Sequence, residues 1–170
     1  GAGLADGQGE NAEAMRMLEE CLVLRRKLGQ PVETAATLST LSLVRLHAGD
    51  AARAREGEME AVAIFRELRD RMGEAIGQLH LGEISAYVAD DAAARDCFER
   101  CLAIAKEVDS REIEAECERK LGELNLEAGE LPAARSRFAR SLEICRATED
   151  KRNEASALWW TAKVDFAAGN

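Results

Sequence analysis

Cys97 and Cys101 stand four residues apart, which puts two thiols on one helix face and can supply half of a metal site. Completing a four-ligand set needs further cysteines or histidines close by. His47 and His80 lie in different segments, and none of Cys21, Cys97, Cys101, Cys117 and Cys145 forms a CxxC pair. No metal site is therefore expected, and the odd number of thiols reads as reduced, buried cysteines in a cytoplasmic protein. No phosphate-binding glycine loop, nucleophile elbow or paired histidine and carboxylate occurs, so catalytic residues and cofactors are not expected either. Trp159-Trp160 remains as a candidate aromatic ligand site. Adjacent residues diverge by about 100° on a helix, so both rings cannot be buried within this chain alone. At least one is expected to meet a further repeat, another copy or a partner.

Charge narrows the partner class. The 170 residues hold 23 Lys and Arg against 32 Asp and Glu, a formal net charge of −9. Nucleic acid and an anionic membrane surface are not expected partners for such a balance. No stretch approaches the roughly 20 apolar residues of a membrane span, and no signal peptide is visible. The acidic clusters Glu19-Glu20, Glu58-Met59-Glu60 and Glu114 to Glu118 lie beside Arg25-Arg26-Lys27, Arg69 to Arg71 and Arg119-Lys120. They read as solvated helix surface, with Glu67–Arg71 and Glu116–Lys120 set at i,i+4 to support it.

The elements that carry these residues repeat. Gly9, Gly49, Gly129 and Gly169 lie on a ladder with a step of 40, Ala89 filling the missing rung, and Ala14, Ala54, Ala94 and Ala134 follow five residues later. Such a period denotes stacked two-helix units. Between the rungs, Leu38, Leu41, Val44 and Ala48 form one helix face, and Ala54, Ala61, Ile64, Phe65 and Leu68 the next. A glycine can end a helix with φ > 0 and the aspartate of Gly49-Asp50 can cap the following one. Two columns set the packing. Ser42/Gly82/Gly122/Ala162 is small and marks the closest approach of paired helices, while Leu18/Glu58/Phe98/Phe138 is large except at Glu58.

At these residues the chain resembles the tetratricopeptide repeat family. The resemblance rests on Leu81-Gly82 and Leu121-Gly122, on the turns Gly49-Asp50 and Gly129-Glu130, and on Ala94, Phe98 and Cys101 with Ala134, Phe138 and Ser141. It covers residues 4–170, in a long form whose period of 40 exceeds the usual 34 or so. It implies an all-α, right-handed superhelical solenoid of antiparallel helix pairs, about four units and eight helices. Departures are Glu58, Thr161 in a leucine column, and the missing unit-ending proline. Helices are expected over 11–29, 32–48, 51–70, 72–88, 91–108, 112–128, 131–148 and 152–168. Residues 1–10 read as a truncated helix stub, with Leu4 on the Val44 column, and 11–30 as the second helix of an incomplete unit. Repeats follow over 31–70, 71–110 and 111–150, and 151–170 reads as the first helix of a last, incomplete unit.

The resemblance also implies a non-catalytic protein or peptide scaffold whose concave groove is lined by first helices. The columns that fall there carry Ser39, Leu43 and His47, then Leu79, Glu83 and Tyr87, then Arg119, Glu123 and Glu127, then Trp159, Lys163 and Ala167. Trp160 follows Thr40, His80 and Lys120, a column expected to be more exposed. The asparagine ladder that clamps peptide backbone in long-repeat relatives is not present, since its column reads Arg45/Ser85/Asn125/Asp165. Neither end carries a polar cap, so the segment reads as part of a longer array or as one whose ends another chain covers. Leu158, Trp159, Trp160, Val164 and Phe166 are the expected end surface for head-to-tail stacking of copies. Expected functions are a scaffold within a larger bacterial regulator, a peptide-sensing regulatory module, or a self-associating structural segment.

Overall fold

The computed structural model describes the backbone of residues 2–169 and the side chains of residues 11–169; the placement of Leu4 on the Val44 column lies outside the described side chains. Eight helices and no strand occur among the described residues: α1 (Ala2–Lys27), α2 (Pro31–His47), α3 (Ala51–Glu67), α4 (Arg71–Tyr87), α5 (Asp91–Glu107), α6 (Arg111–Glu127), α7 (Leu131–Ala147) and α8 (Lys151–Ala167). The architecture is all-α, of the solenoid kind; within α1–α4 and within α5–α8 consecutive helices pack as antiparallel pairs. The expected break at Gly9 is absent, and α1 runs through it. In complete units that break lets two long helices fold back on each other.

The backbone repeats twice as often as the sequence ladder. Each of α2 to α8 is 17 residues long, and a left-handed residue closes every helix: Gly29, Gly49, Arg69, Ala89, Asp109, Gly129, Glu149 and Gly169. At every turn between helices the next N–H donates to the carbonyl five residues back. Examples are Asp50 to Arg45 at 2.8 Å, Asp70 to Phe65 at 2.9 Å and Glu130 to Asn125 at 2.8 Å. This is the Schellman closure, which satisfies helix-end carbonyls that three-residue connections would otherwise leave open. The carboxylates of Asp50, Asp70 and Asp150 then accept from the N–H groups of Arg53, Gly73 and Asn153 and start the following helices. Ala48 and Leu68, expected to point inward, are the C-cap residues and are exposed.

The chain divides into two compact units, Gly1–Asp90 and Asp91–Asn170. In the first, Leu22, Ala35, Leu38, Leu41, Ala61 and Phe65 form one core cluster and Leu46, Ala54 and Ile84 a second. In the second unit Ala115, Ile144 and Cys145 pack together, and Ala134, Phe138 and Val164 pack with Leu126, Leu131 and Trp160. The small column does mark close approach. A Cβ on Gly122 would sit 2.7 Å from the Phe138 ring, and one on Gly57 only 2.6 Å from the Ser42 hydroxyl.

Several acidic residues are not solvated surface. Glu58 is fully buried, and Glu74, Glu114 and Glu118 nearly so. Three of them are paired with arginines. Glu74 accepts from Arg66 at 2.7 Å and from Arg71, Glu114 meets Arg111 at 3.0 Å and Arg140 at 3.3 Å, and Glu118 meets Arg137 at 2.8 Å. Burial pushes the Glu74 carboxyl up, but the two guanidinium groups outweigh it and hold it below its ordinary range. A carboxylate can enter the helix interface because the long arginine stems lie along apolar surface and bring charge to it.

Candidate functional site

In the first unit, the first helices α2 and α4 present Leu43, Leu79 and Glu83 half-buried and His47 and Tyr87 exposed. The Tyr87 hydroxyl reaches toward the Gly49 turn. Ser39, expected to line the groove, is instead buried, and its hydroxyl donates to Glu58 at 2.8 Å. The ring of His80, Nδ1 at 3.3 Å, faces the same carboxylate oxygen, and the other oxygen is buried without a partner. Three helices thus converge on one buried carboxylate. The sequence carried the signal for its burial, because Glu58 occupies the column of Leu18, Phe98 and Phe138.

In the second unit, α6 presents Arg119 held between Glu116 and Glu123. Burial pushes the Glu123 carboxyl up, against the pull of Arg119 and Lys120. Glu127 is exposed at the end of α6. Beside it, α8 contributes a hollow of about 460 Å³ lined by Leu126, Glu127, Trp159, Trp160, Ala162, Lys163, Phe166 and Ala167.

The two tryptophans divide the roles in one definite way. Trp160 is half-buried and stacks on Phe138, centroids 5.6 Å apart and planes 11° from parallel. Trp159 stands edge-on to it at 4.7 Å and is 56% exposed. The Lys163 ammonium lies 4.7 Å from one ring and 4.5 Å from the other, in cation–π geometry. Trp160, expected to be the more exposed ring, turns inward. So does Val164, which is 1% exposed and does not belong to any end surface. The reason is the stripe Ala157, Trp160 and Val164, spaced three and four apart, by which α8 packs on α7. Leu158, Trp159 and Phe166 remain exposed, Phe166 at 86%.

The helix expected over 11–29 reads from the sequence as the other exposed end, and the structure identifies the residues of its apolar surface. On α1 and the residue that follows it, Met17, Leu24 and Leu28 are 59%, 58% and 68% exposed, and half-buried Cys21 lies between them. The spacing 17, 21, 24, 28 is legible as a helix face, but a periodic stripe looks the same whether or not a neighbour covers it. Among the described residues no group of three or more His, Cys, Asp and Glu side chains is placed to hold a metal ion. No described helix is long and apolar enough to cross a membrane.

A family model described as tetratricopeptide repeat matches residues 73–161. No curated protein matches the chain in sequence. Among solved structures, the apo form of RapI is similar with a TM-score of 0.85 at 18% identity, over 95% of this chain and 45% of that one. BtubC (BKLC) from P. vanneervenii gives a TM-score of 0.77 at 15% identity, over 99% of this chain and 68% of the other. A putative kinesin light chain from Podosopora anserina with nearly identical repeats gives 0.75 at 18%, over 95% and 80%. At these identities the likeness concerns the fold alone, and the chain spans less than half of RapI.

Proposed function

Since this chain belongs to the tetratricopeptide repeat family, whose fold is generally a protein–protein interaction scaffold, we propose that it is a non-catalytic scaffold. Its α6–α8 face takes a basic, apolar-bearing segment of another protein. The observation that carries this reading is the hollow beside Trp159. It combines exposed aromatic area, the exposed carboxylate of Glu127, and rings that already hold one ammonium, that of Lys163. An incoming lysine or arginine can take these ring faces by displacing the Lys163 ammonium, with its aliphatic stem against Phe166. The net charge of −9 favours a basic partner over an acidic one during encounter. Five cysteines that form no disulfide suit a reducing compartment such as the cytoplasm. Such a module fits a larger regulatory protein.

The chain carries its own probe, because Trp159 and Trp160 are its two tryptophans. Basic peptides bearing one aromatic or leucine residue are expected to shift their emission on titration, and acidic peptides of equal apolar content are not. Trp159→Ala, which leaves Trp160 as reporter, should weaken binding by about 2 kcal/mol, as for a central aromatic anchor. Equal binding of acidic and basic peptides, or an unchanged affinity in Trp159→Ala, overturns the reading.

A further inference from the structure

The exposed apolar stripes of α1 and α8 correspond to two surfaces that meet inside this chain. The template is the α6–α7 pair. There the Ser141 hydroxyl donates to the Ala115 carbonyl at 2.9 Å, Arg137 pairs with Glu118 at 2.8 Å, and Gly122 leaves room for the Phe138 ring. By the 40-residue ladder, α8 stands to α6 as a first helix of a unit, and α1 stands to α7 as a second helix. Ala155, Leu158 and Ala162 therefore occupy the places of Ala115, Glu118 and Gly122. Met17, Leu18 and Cys21 occupy those of Arg137, Phe138 and Ser141.

We infer that two copies of this chain associate head to tail, the outer face of α8 on one copy packing on the α1 face of the next in the register of α6 on α7. In that register Met17 meets Leu158 where the template has an ion pair, and Leu18 fills the space over Ala162. The first is a matched replacement: both the acid and the base of the template pair give way to apolar side chains, so neither face brings an unanswered charge to that point. A lone charge on either side would cost far more than the pair. The second keeps the template's shape, because a small residue at 162 again faces a large one at 18, as Gly122 faces Phe138.

One position runs against the match. Glu154 and Glu20 replace Glu114 and Arg140 and would face each other. Each is already paired on its own chain, Glu154 with Arg146 at 3.0 Å and Lys151 at 2.8 Å, Glu20 with Arg16 at 2.7 Å. The interface is heterologous, so each added copy leaves one α1 face and one α8 face free, and assembly does not stop at a dimer. It needs neither Glu127 nor Lys163, and it meets the Trp159 hollow only at Ala162.

Sedimentation velocity over a concentration series tests it, with two variants. Leu24→Glu/Leu28→Glu blocks the α1 face, and Leu158→Glu/Ala162→Glu blocks the α8 face. Circular dichroism confirms that each retains its helices. The unaltered chain is expected to grow past dimer as concentration rises, each variant to stay monomeric, and their equimolar mixture to form a dimer and nothing larger. An unaltered chain that stays monomeric at the highest concentration reached overturns the inference. So does a variant that associates like the unaltered chain, growth that stops at a dimer, or a mixture that stays monomeric.

Discussion

Gly122 shows how much of the packing hangs on a single missing atom. Its Cβ would lie 2.7 Å from Cε1 and 2.9 Å from Cζ of Phe138, and that ring is itself fully buried, stacked on Trp160. The ring cannot retreat without disturbing the α7–α8 contact. Gly122→Leu should therefore destabilise the chain by about 1–3 kcal/mol, the usual cost of forcing volume into a packed core. Urea melts followed by circular dichroism measure it, and an added Phe138→Leu should recover part of the loss; an unchanged midpoint would contradict the close packing. Glu58 is the opposite case. It puts a carboxylate where the other units put Leu18, Phe98 and Phe138, and the interface answers with the Ser39 hydroxyl and the His80 ring. Column position alone puts Ser39 in the groove. The structure places it at this carboxylate, because a buried acceptor needs a donor more than the surface needs a hydroxyl.

At the scale of elements, the uniform feature is the turn. Every helix closes with one left-handed residue, yet the sequence marks that position with glycine only at residues 29, 49, 129 and 169. Arg69, Ala89, Asp109 and Glu149 adopt the same φ, between 53° and 58°, because equal helix lengths and Schellman bonds on both sides over-determine it. The strain is real for a residue with a Cβ, roughly 1–2 kcal/mol. Part of that is offset, since glycine gives the unfolded chain more freedom to lose. Ala89→Gly is therefore expected to stabilise by about 0.5–1 kcal/mol, seen as a higher melting temperature by calorimetry; a lower one would mean that the turn carries no strain. The glycine ladder makes the turns at 49, 89 and 129 legible. The alternate turns at 69, 109 and 149 carry no glycine, and there only hydrophobic periodicity locates the helix ends.

For the whole molecule, charge separates the two proposed modes of association. In the proposed stacking, copies that each carry −9 repel while their apolar stripes attract. Raising ionic strength from about 0.05 to about 0.5 M screens that repulsion and should strengthen self-association. The same change should weaken a basic peptide in the Trp159 hollow, since attraction between unlike charges is screened equally. Measuring both on one preparation, by sedimentation and by tryptophan emission, gives opposite salt slopes if each surface works as described. Parallel slopes would place both events on one surface.

From its amino-acid order alone this chain determined its class, its period, its pairing of helices and the column of small residues that lets them touch. These depend on which side chains recur every 40 positions, and recurrence is written in the sequence. Tertiary structure alone decided which of two neighbouring tryptophans is core and which is surface, that Glu74, Glu114 and Glu118 lie inside with arginines over them, and that the Met17 to Leu28 stripe has no cover among the described residues. Periodicity gives the direction of a side chain from its own helix axis. Burial depends on whether another helix stands in that direction, and that is a property of the packed molecule.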